Sequence, residues 1–367
     1  MQIKYYLNFK EDQRISMDIY ANQTIEYLKK NYQDFNIQCF RPKIDFISSI
    51  IPNNIFKMRY ARYISYPKQV KNLIKSDIAH IFDHQYAHLY SALNSKIKFI
   101  TVHDLVPFIF TKKRGKSPYL LSYSFSKLKY FNKVIAVSEN TKKDILKYTD
   151  CPEDKIIVTM EAIEDFFNDF KINEAEICKK FNLPNNKKKI LIHGARASTG
   201  KSNYFIKNSQ ISFQILEKLI KLDQDIIFIN LGGKLHMNNF NHLKNYVFSL
   251  PFLNREEIPN IYKICKLLLY PSIYEGFGRP LLEAMQCGIP IVCSNNSSIP
   301  EVVGDVALTN DHDNIEGFVK DIINFLTDKK LYLLKQQKAL ERAKIFDISK
   351  IHNNLIDIYR AEMNKLD

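Results

Sequence analysis

The stretch from Tyr274 to Glu283, Y-E-G-F-G-R-P-L-L-E, limits the folds open to this chain more than any other. Two carboxylates, Glu275 and Glu283, stand eight positions apart; on one continuous helix they would lie about 80° apart around the axis. Gly276, Gly278 and Pro280 forbid that helix. Glycine opens backbone conformations that other residues avoid, and proline suits a first helical turn but breaks an interior. The pattern therefore predicts Glu275 on a tight loop and Glu283 in the first turn of a helix starting near Pro280. A Gly-rich loop facing the positive end of a helix suits an anionic, hydroxyl-rich ligand. A plain β-to-α turn, with one glutamate complementing the helix dipole, would carry the same two carboxylates.

The longer string separates the two readings. E-G-F-G-R-P-L-L-E-A-M-Q-C-G-I-P resembles the signature of the retaining, nucleotide-sugar-dependent glycosyltransferases of family 4. The resemblance is motif-specific from about residue 130 to 310, and before His103 it is only a general α/β pattern. It implies a GT-B fold of class α/β, with two Rossmann-like parallel-sheet domains facing across a cleft. Residues 1–170 would form the acceptor-side domain and 171–347 the nucleotide-sugar domain. A C-terminal helix over 348–367 would return to the first.

Length and composition allow this. A chain of 367 residues with 46% hydrophobic and 25% charged side chains has room for about two domains with real cores. The net charge of +14 favours anionic partners such as lipid headgroups, phosphorylated substrates or nucleic acid. Lysines scattered along the whole chain also fit a merely solvated surface. No apolar run approaches the ~20 residues of a membrane span, and the start, M-Q-I-K-Y-Y-L-N-F-K, has no signal-peptide pattern. The six cysteines form no C-x-x-C pair and no zinc spacing, so they read as reduced, mostly buried thiols. These features point to the cytoplasm.

Residues 2–9 read as a first strand, Glu11–Met17 as a polar turn and Ile19–Asn31 as an amphipathic helix. Family relatives carry glycines in that turn; here E-D-Q-R-I-S-M has none, and Arg14 and Ser16 are candidate replacements for backbone donors. Residues 42–75 read as irregular, with basic and aromatic residues interleaved in F-K-M-R-Y-A-R-Y-I-S-Y-P-K. Three readings stay open: a nucleic-acid strand contact, an amphipathic segment at a membrane surface, or a helix with snorkelling Lys and Arg stems. Short apolar runs follow, as buried parallel strands do. His80, His84, His103-Asp104 and Ser138–Thr141 fall at their C-terminal ends, with Ser138 a candidate N-cap. V-H-D-L-V-P at 102–107 is similar to the H-D-x-x-P of a mannosyltransferase subset, which implies that His103 contacts the transferred sugar. At Glu161-Ala162 relatives carry Asn-Gly.

A strand I-L-I-H-G opens the second half and leads into G-A-R-A-S-T-G-K-S, Gly194 to Ser202, with a helix expected over Tyr204–Leu222. Ala195–Ser202 fits a degenerate P-loop, whose amides and lysine cradle phosphate. Against a nucleotide hydrolase, the strict first glycine is displaced and the next strand ends in Asn230, where a magnesium-holding Asp is expected. The resemblance explains the same loop as G-R-x4-K, with Arg196 and Lys201 gripping the donor diphosphate. Both readings hold phosphate here.

The resemblance implies the remaining roles. Glu283 would hold the ribose hydroxyls, and Glu275 with Gly276, Phe277 and Gly278 would orient the sugar, with Leu281 beside them. The base would lie against the backbone around Phe252 and Leu253. Transfer would retain anomeric configuration by front-face attack and need no metal and no cofactor. The donor would be a GDP- or UDP-sugar, and the acceptor a glycan or lipid-linked glycan, with peripheral contact to an anionic membrane. Nucleic acid is not the expected partner. The alternatives are a P-loop nucleotide hydrolase and a basic nucleic-acid-binding protein on a degenerate transferase fold.

Overall fold

The computed structural model describes residues 1–113, 119–167, 172–194 and 205–366. The chain forms two compact units, Met1–Ala162 with Ile348–Asp367, and Ile163–Asp347. The boundary thus falls eight residues before the expected 170, and the C-terminal helix belongs to the first unit.

The first unit holds six strands: β1 (Gln2–Tyr6), β2 (Asn36–Phe40), β3 (Ser76–Ile81), β4 (Ser95–Val102), β5 (Lys133–Ala136) and β6 (Ile156–Val158). Their spatial order is β2-β1-β3-β4-β5-β6, and every pair is parallel. Parallel strands need crossovers, so the central strands β1, β3, β4 and β5 are mostly buried, whereas the edge strand β2 (N-I-Q-C-F) is largely exposed. The helix Ile15–Asn31 starts a turn earlier than its pattern suggests, after a left-handed Gln13 (φ 52°) that closes the glycine-free loop. The terminal helix Ile348–Met363 packs Leu355, Ile356 and Tyr359 into a core with Ile3, Tyr5 and Phe99. His352 Nε2 meets Thr24 Oγ1 at 3.1 Å, and the Tyr359 hydroxyl bonds His80 Nδ1.

Residues 42–75, expected to be irregular, are largely helical. Asp45 caps Phe46–Ile50 by accepting from Ser48 N at 2.7 Å, and Asn53 caps Asn54–Tyr60 through Ile55 N and Phe56 N. A π-turn over Ala61–Ser65 continues into Tyr66–Lys71, where Pro67 sits in the first turn. Tyr66 is fully buried, its hydroxyl donating to Leu7 O at 2.7 Å. Phe46–Ile50 is too short for a clear period, and from Asn54 to Lys71, where the helical turns run on unbroken, the π-turn shifts the spacing midway. On their outer side Phe46, Ile50, Ile55 and Phe56 are 60–79% exposed.

The second unit holds β7 (Lys188–Ile192), β8 (Ile226–Asn230), β9 (Val247–Ser249), β10 (Leu267–Tyr270), β11 (Ile291–Ser294) and β12 (Leu308–Asn310). The order is β12-β11-β10-β7-β8-β9, all parallel: the doubly wound Rossmann arrangement. Its core joins Ile190, Phe228, Leu267 and Val292 to Phe213 and Leu216 of the helix Ser209–Leu222. Each such burial contributes about 1.5–3 kcal/mol relative to exposure. That helix begins at Ser209, and its expected start, Tyr204, lies outside the described residues.

Candidate functional site

In an open parallel sheet, ligands bind outside the carboxyl ends of the strands where the order reverses. In the second unit that point lies between β7 and β10. The chain leaves β7 there at His193 and Gly194, ahead of Arg196 and Lys201 in sequence, and the signature loop leaves β10. Residues 195–204, with Arg196 and Lys201, lie outside the described residues.

The signature loop ends at Gly278, whose φ of 101° is left-handed and stops the helix Arg279–Gln286 from extending backwards. This helix starts one residue before Pro280, so Glu283 stands one turn in, just past the expected first turn. Two serines anchor the loop from the far side. Ser297 Oγ accepts from Glu275 N at 2.8 Å, and Ser298 Oγ contacts the carbonyls of Glu275 and Phe277 at 3.0 and 2.9 Å. Phe277 and Leu281 are buried, Phe277 edge-on to Phe346, and the Leu281 amide donates to Gly278 O. Their side chains face protein, so this loop can offer a ligand backbone atoms at Gly276–Gly278 and the Glu275 carboxylate. Leu253 is half-buried and its neighbour Phe252 is 61% exposed, in the turn after β9.

The two carboxylates are held by different means. Glu275 pairs with Lys207 Nζ at 2.7 Å, and the same ammonium reaches the Tyr270 hydroxyl at 3.1 Å. Glu283 is 4% exposed and sits in a network of arginines. Arg255 Nη2 lies 2.6 Å from its Oε1, and the Tyr262 hydroxyl donates to Oε2 at 2.8 Å. Arg255 in turn makes two 3.1 Å bonds to Glu164, and Arg279 Nη2 bonds Glu164 at 2.7 Å. Burial alone would raise the Glu164 pKa, but Arg279 and Arg255 override it and hold it below the usual carboxylate range. Arg255, Glu164, Tyr262 and Lys207 went unread in the sequence as site residues. The partners lie up to 115 positions apart, and no periodic pattern marks such pairs.

Asn230, at the end of β8, is fully buried; it accepts from Gly194 N and donates to Gly233 O, both at 2.9 Å. It ties two turns together where a nucleotide hydrolase would carry a magnesium-holding acid.

In the first unit the order reverses between β1 and β3. Here the loop after β1 brings Asp12, which accepts from Arg62 Nε at 2.9 Å and from the Tyr86 hydroxyl. Arg14 pairs with the fully buried Asp83 at 3.0 Å, so it does not stand free as a substitute donor. Beside it, His84 is buried, with Nδ1 3.4 Å from His103 N and with no hydrogen-bond partner among the described residues for Nε2. His103, at the end of β4, is 8% exposed and has both ring nitrogens engaged, Nδ1 with Glu161 at 3.2 Å and Nε2 with Phe82 O at 3.0 Å. Burial opposes its protonation, but the Glu161 carboxylate reverses this and raises its pKa above the usual value. The residue that replaces the relatives' Asn is thus the partner of the expected site histidine.

Two family models together match most of the chain. The model "Glycosyl transferases group 1" matches residues 174–344, and "Glycosyltransferase Family 4" matches 20–163. The chain belongs to the family 4, group 1 glycosyltransferases. It is 26% identical over 233 residues to the O-antigen chain mannosyltransferase B of Escherichia coli, covering 62% of this chain and 60% of that protein. It is 26% identical to the serotype-specific mannosyltransferase WbdA of the same organism, over 70% of this chain but 32% of WbdA. The chain therefore spans about three fifths and one third of these relatives' lengths. Among solved structures it is similar to Anabaena HepE in complex with UDP and glucose, with a TM-score of 0.74 at 14% identity over 98% of this chain and 100% of HepE. It is also similar to WaaG, a glycosyltransferase involved in lipopolysaccharide biosynthesis, with a TM-score of 0.72 at 13% identity over 98% of this chain and 99% of WaaG.

Proposed function

We propose that this protein is a retaining glycosyltransferase that moves a hexose from a nucleotide-diphosphate donor to a hydroxyl of a glycan or lipid-linked glycan in polysaccharide biosynthesis. The observation that carries this reading is the placement of two carboxylates at the strand-order reversal of the second unit, Glu275 on a loop anchored by Ser297 and Ser298 and Glu283 on the helix that follows it. The names of the relatives favour mannose, and hence a GDP donor; the UDP complexes of HepE keep UDP-sugars in play.

Breaking the bond between the sugar and the diphosphate gathers negative charge on the leaving group. Preorganised positive groups stabilise that charge. Arg196 and Lys201, by resemblance, supply it in this reading without a metal ion or cofactor. Glu275 orients the sugar, Glu283 accepts the ribose hydroxyls, and the leaving phosphate takes the acceptor's proton on the face it departs from. The acceptor is assigned to the first unit.

The test is donor turnover with GDP-mannose and UDP-sugars on a lipid-linked glycan, with the product anomer read by NMR and EDTA in a parallel reaction. Retained configuration and full activity in EDTA are expected. Glu275→Ala or Lys201→Ala should abolish transfer with the fold intact; full activity in both would refute the site. Magnesium-dependent ATP or GTP hydrolysis without any acceptor would instead establish the P-loop reading.

We also infer that the protein works at an anionic membrane face in the cytoplasm. No helix of the described residues is long and apolar enough to cross a membrane. The short helices over 46–60, however, combine exposed Phe46, Ile50, Ile55 and Phe56 with Lys57 and Arg59 in a protein of net charge +14. An apolar face edged with cations binds at an interface rather than through it. Co-sedimentation with vesicles containing anionic lipid, lost in Ile55→Ser/Phe56→Ser, tests this; equal sedimentation with neutral vesicles would refute the charge component.

A further inference from the structure

We propose that Arg255, braced by Glu164, is a positioning residue that fixes the Glu283 carboxylate in the orientation needed to accept a ribose diol. The inference rests on the reading that Glu283 holds the donor ribose, and it adds the residues that make this side chain fit for the task.

A nearly buried carboxylate has two difficulties. Its charge must be compensated, and its end group must be stopped from rotating. Arg255 meets one oxygen at 2.6 Å and the Tyr262 hydroxyl meets the other at 2.8 Å, so both ends are pinned. Tyr262 is itself fully buried, and burial keeps it protonated and a donor. A carboxylate has about four lone-pair sites, so each oxygen retains one for an incoming hydroxyl.

Arg255 is held just as firmly. Its Nε and Nη2 both bond Glu164 at 3.1 Å, and the guanidinium lies 4.9 Å from the centre of the Phe167 ring. Arg279 closes the circuit, with Nη2 on Glu164 at 2.7 Å and Nε 3.7 Å from Glu283 Oε1. Two acids and two guanidiniums sum to no net charge, so the ionised Glu283 needs no counter-ion from the ligand. It is free to recognise a neutral diol. Lysine could not replace Arg255, because bridging two carboxylates uses the planar fork of the guanidinium.

The experiment titrates UDP, GDP and ADP, each against its 2′,3′-dideoxy counterpart, into the wild type, Arg255→Lys and Arg255→Met/Glu164→Leu. The double variant removes the acid that would otherwise be orphaned, and the lysine variant retains charge if the double variant fails to fold. In the wild type at least one ribonucleotide should bind at least about tenfold more tightly than its dideoxy form. That ratio should fall toward one in both variants, with dideoxy affinity unchanged. An undiminished ratio, or equal weakening of both forms, would make the network a structural ion pair only and overturn the proposal. A wild type that binds a nucleotide without distinguishing the two forms, or binds none, would overturn the donor reading itself, and the proposal with it.

Discussion

The two units place their polar groups at the same topological feature, the reversal of strand order, but compensate buried charge differently. In the second unit the charged partners of Glu164 and Glu283 among the described residues are arginines, which stay charged at any working pH. In the first unit the carboxylate of Glu161 faces a histidine, and Asp83 has Arg14 on one side and His84 on the other. A guanidinium network is insensitive to pH near neutrality, whereas a histidine–carboxylate pair is not. The arginine network of the second unit should therefore behave as a fixed mould, while the His103–Glu161 pair of the first should respond to protons.

The largest expected effect breaks the fixed mould. Glu164→Ala leaves Arg255 and Arg279 sharing one acid and should cost the second unit about 3 kcal/mol. Hydrogen exchange followed by mass spectrometry, which reads each unit separately, should show the loss in 163–347 and not in 1–162. Next comes a change confined to the first unit. Tyr359→Phe removes the hydroxyl that His80 and Tyr5 contact, and should cost about 1–2 kcal/mol, seen as faster exchange in 348–363 and β1.

The smallest effect concerns pH. Because the folded His103 pKa is raised, its stabilisation is fully present below the unfolded histidine value and is lost as pH rises through the folded one. Glu164 is depressed, so its contribution is present above the ordinary glutamate value and is lost only as pH falls through the folded one. Raising pH from 6 to 9 should then remove the His103 contribution, read as wild-type protection of the first unit falling relative to that of Glu161→Gln, while His80, His84 and His88, whose pKa values burial lowers, act in the opposite sense in both proteins. Equal slopes in both units would remove the contrast.

The second unit was far more legible in the sequence than the first, for physical reasons. Its signature is contiguous, because a tight loop and a helix start must be built from neighbouring glycines, a proline and the acids themselves. Buried parallel strands likewise showed as apolar runs, and Ser138 capped its helix as its position implied, accepting from Thr141 N at 3.0 Å. Pairs made by folding left no such trace. Arg255 sits in an ordinary R-E-E turn, and nothing local says that it will meet Glu164 and Glu283. Glu161 was visible only as a departure from the relatives' Asn-Gly, and its meaning came from His103 beside it. Phe46–Ile50 was obscured because it is shorter than the window in which a helical period can be counted, and the run over 54–71 because its π-turn shifts the period midway.

The most direct test of the account is a crystal structure of the protein with an intact sugar nucleotide. The account predicts both ribose hydroxyls within about 2.6–3.2 Å of the Glu283 carboxylate, with Arg255 and Tyr262 still in place and the sugar beside Glu275. A nucleotide seated away from the signature loop, with no oxygen near Glu283, would contradict it.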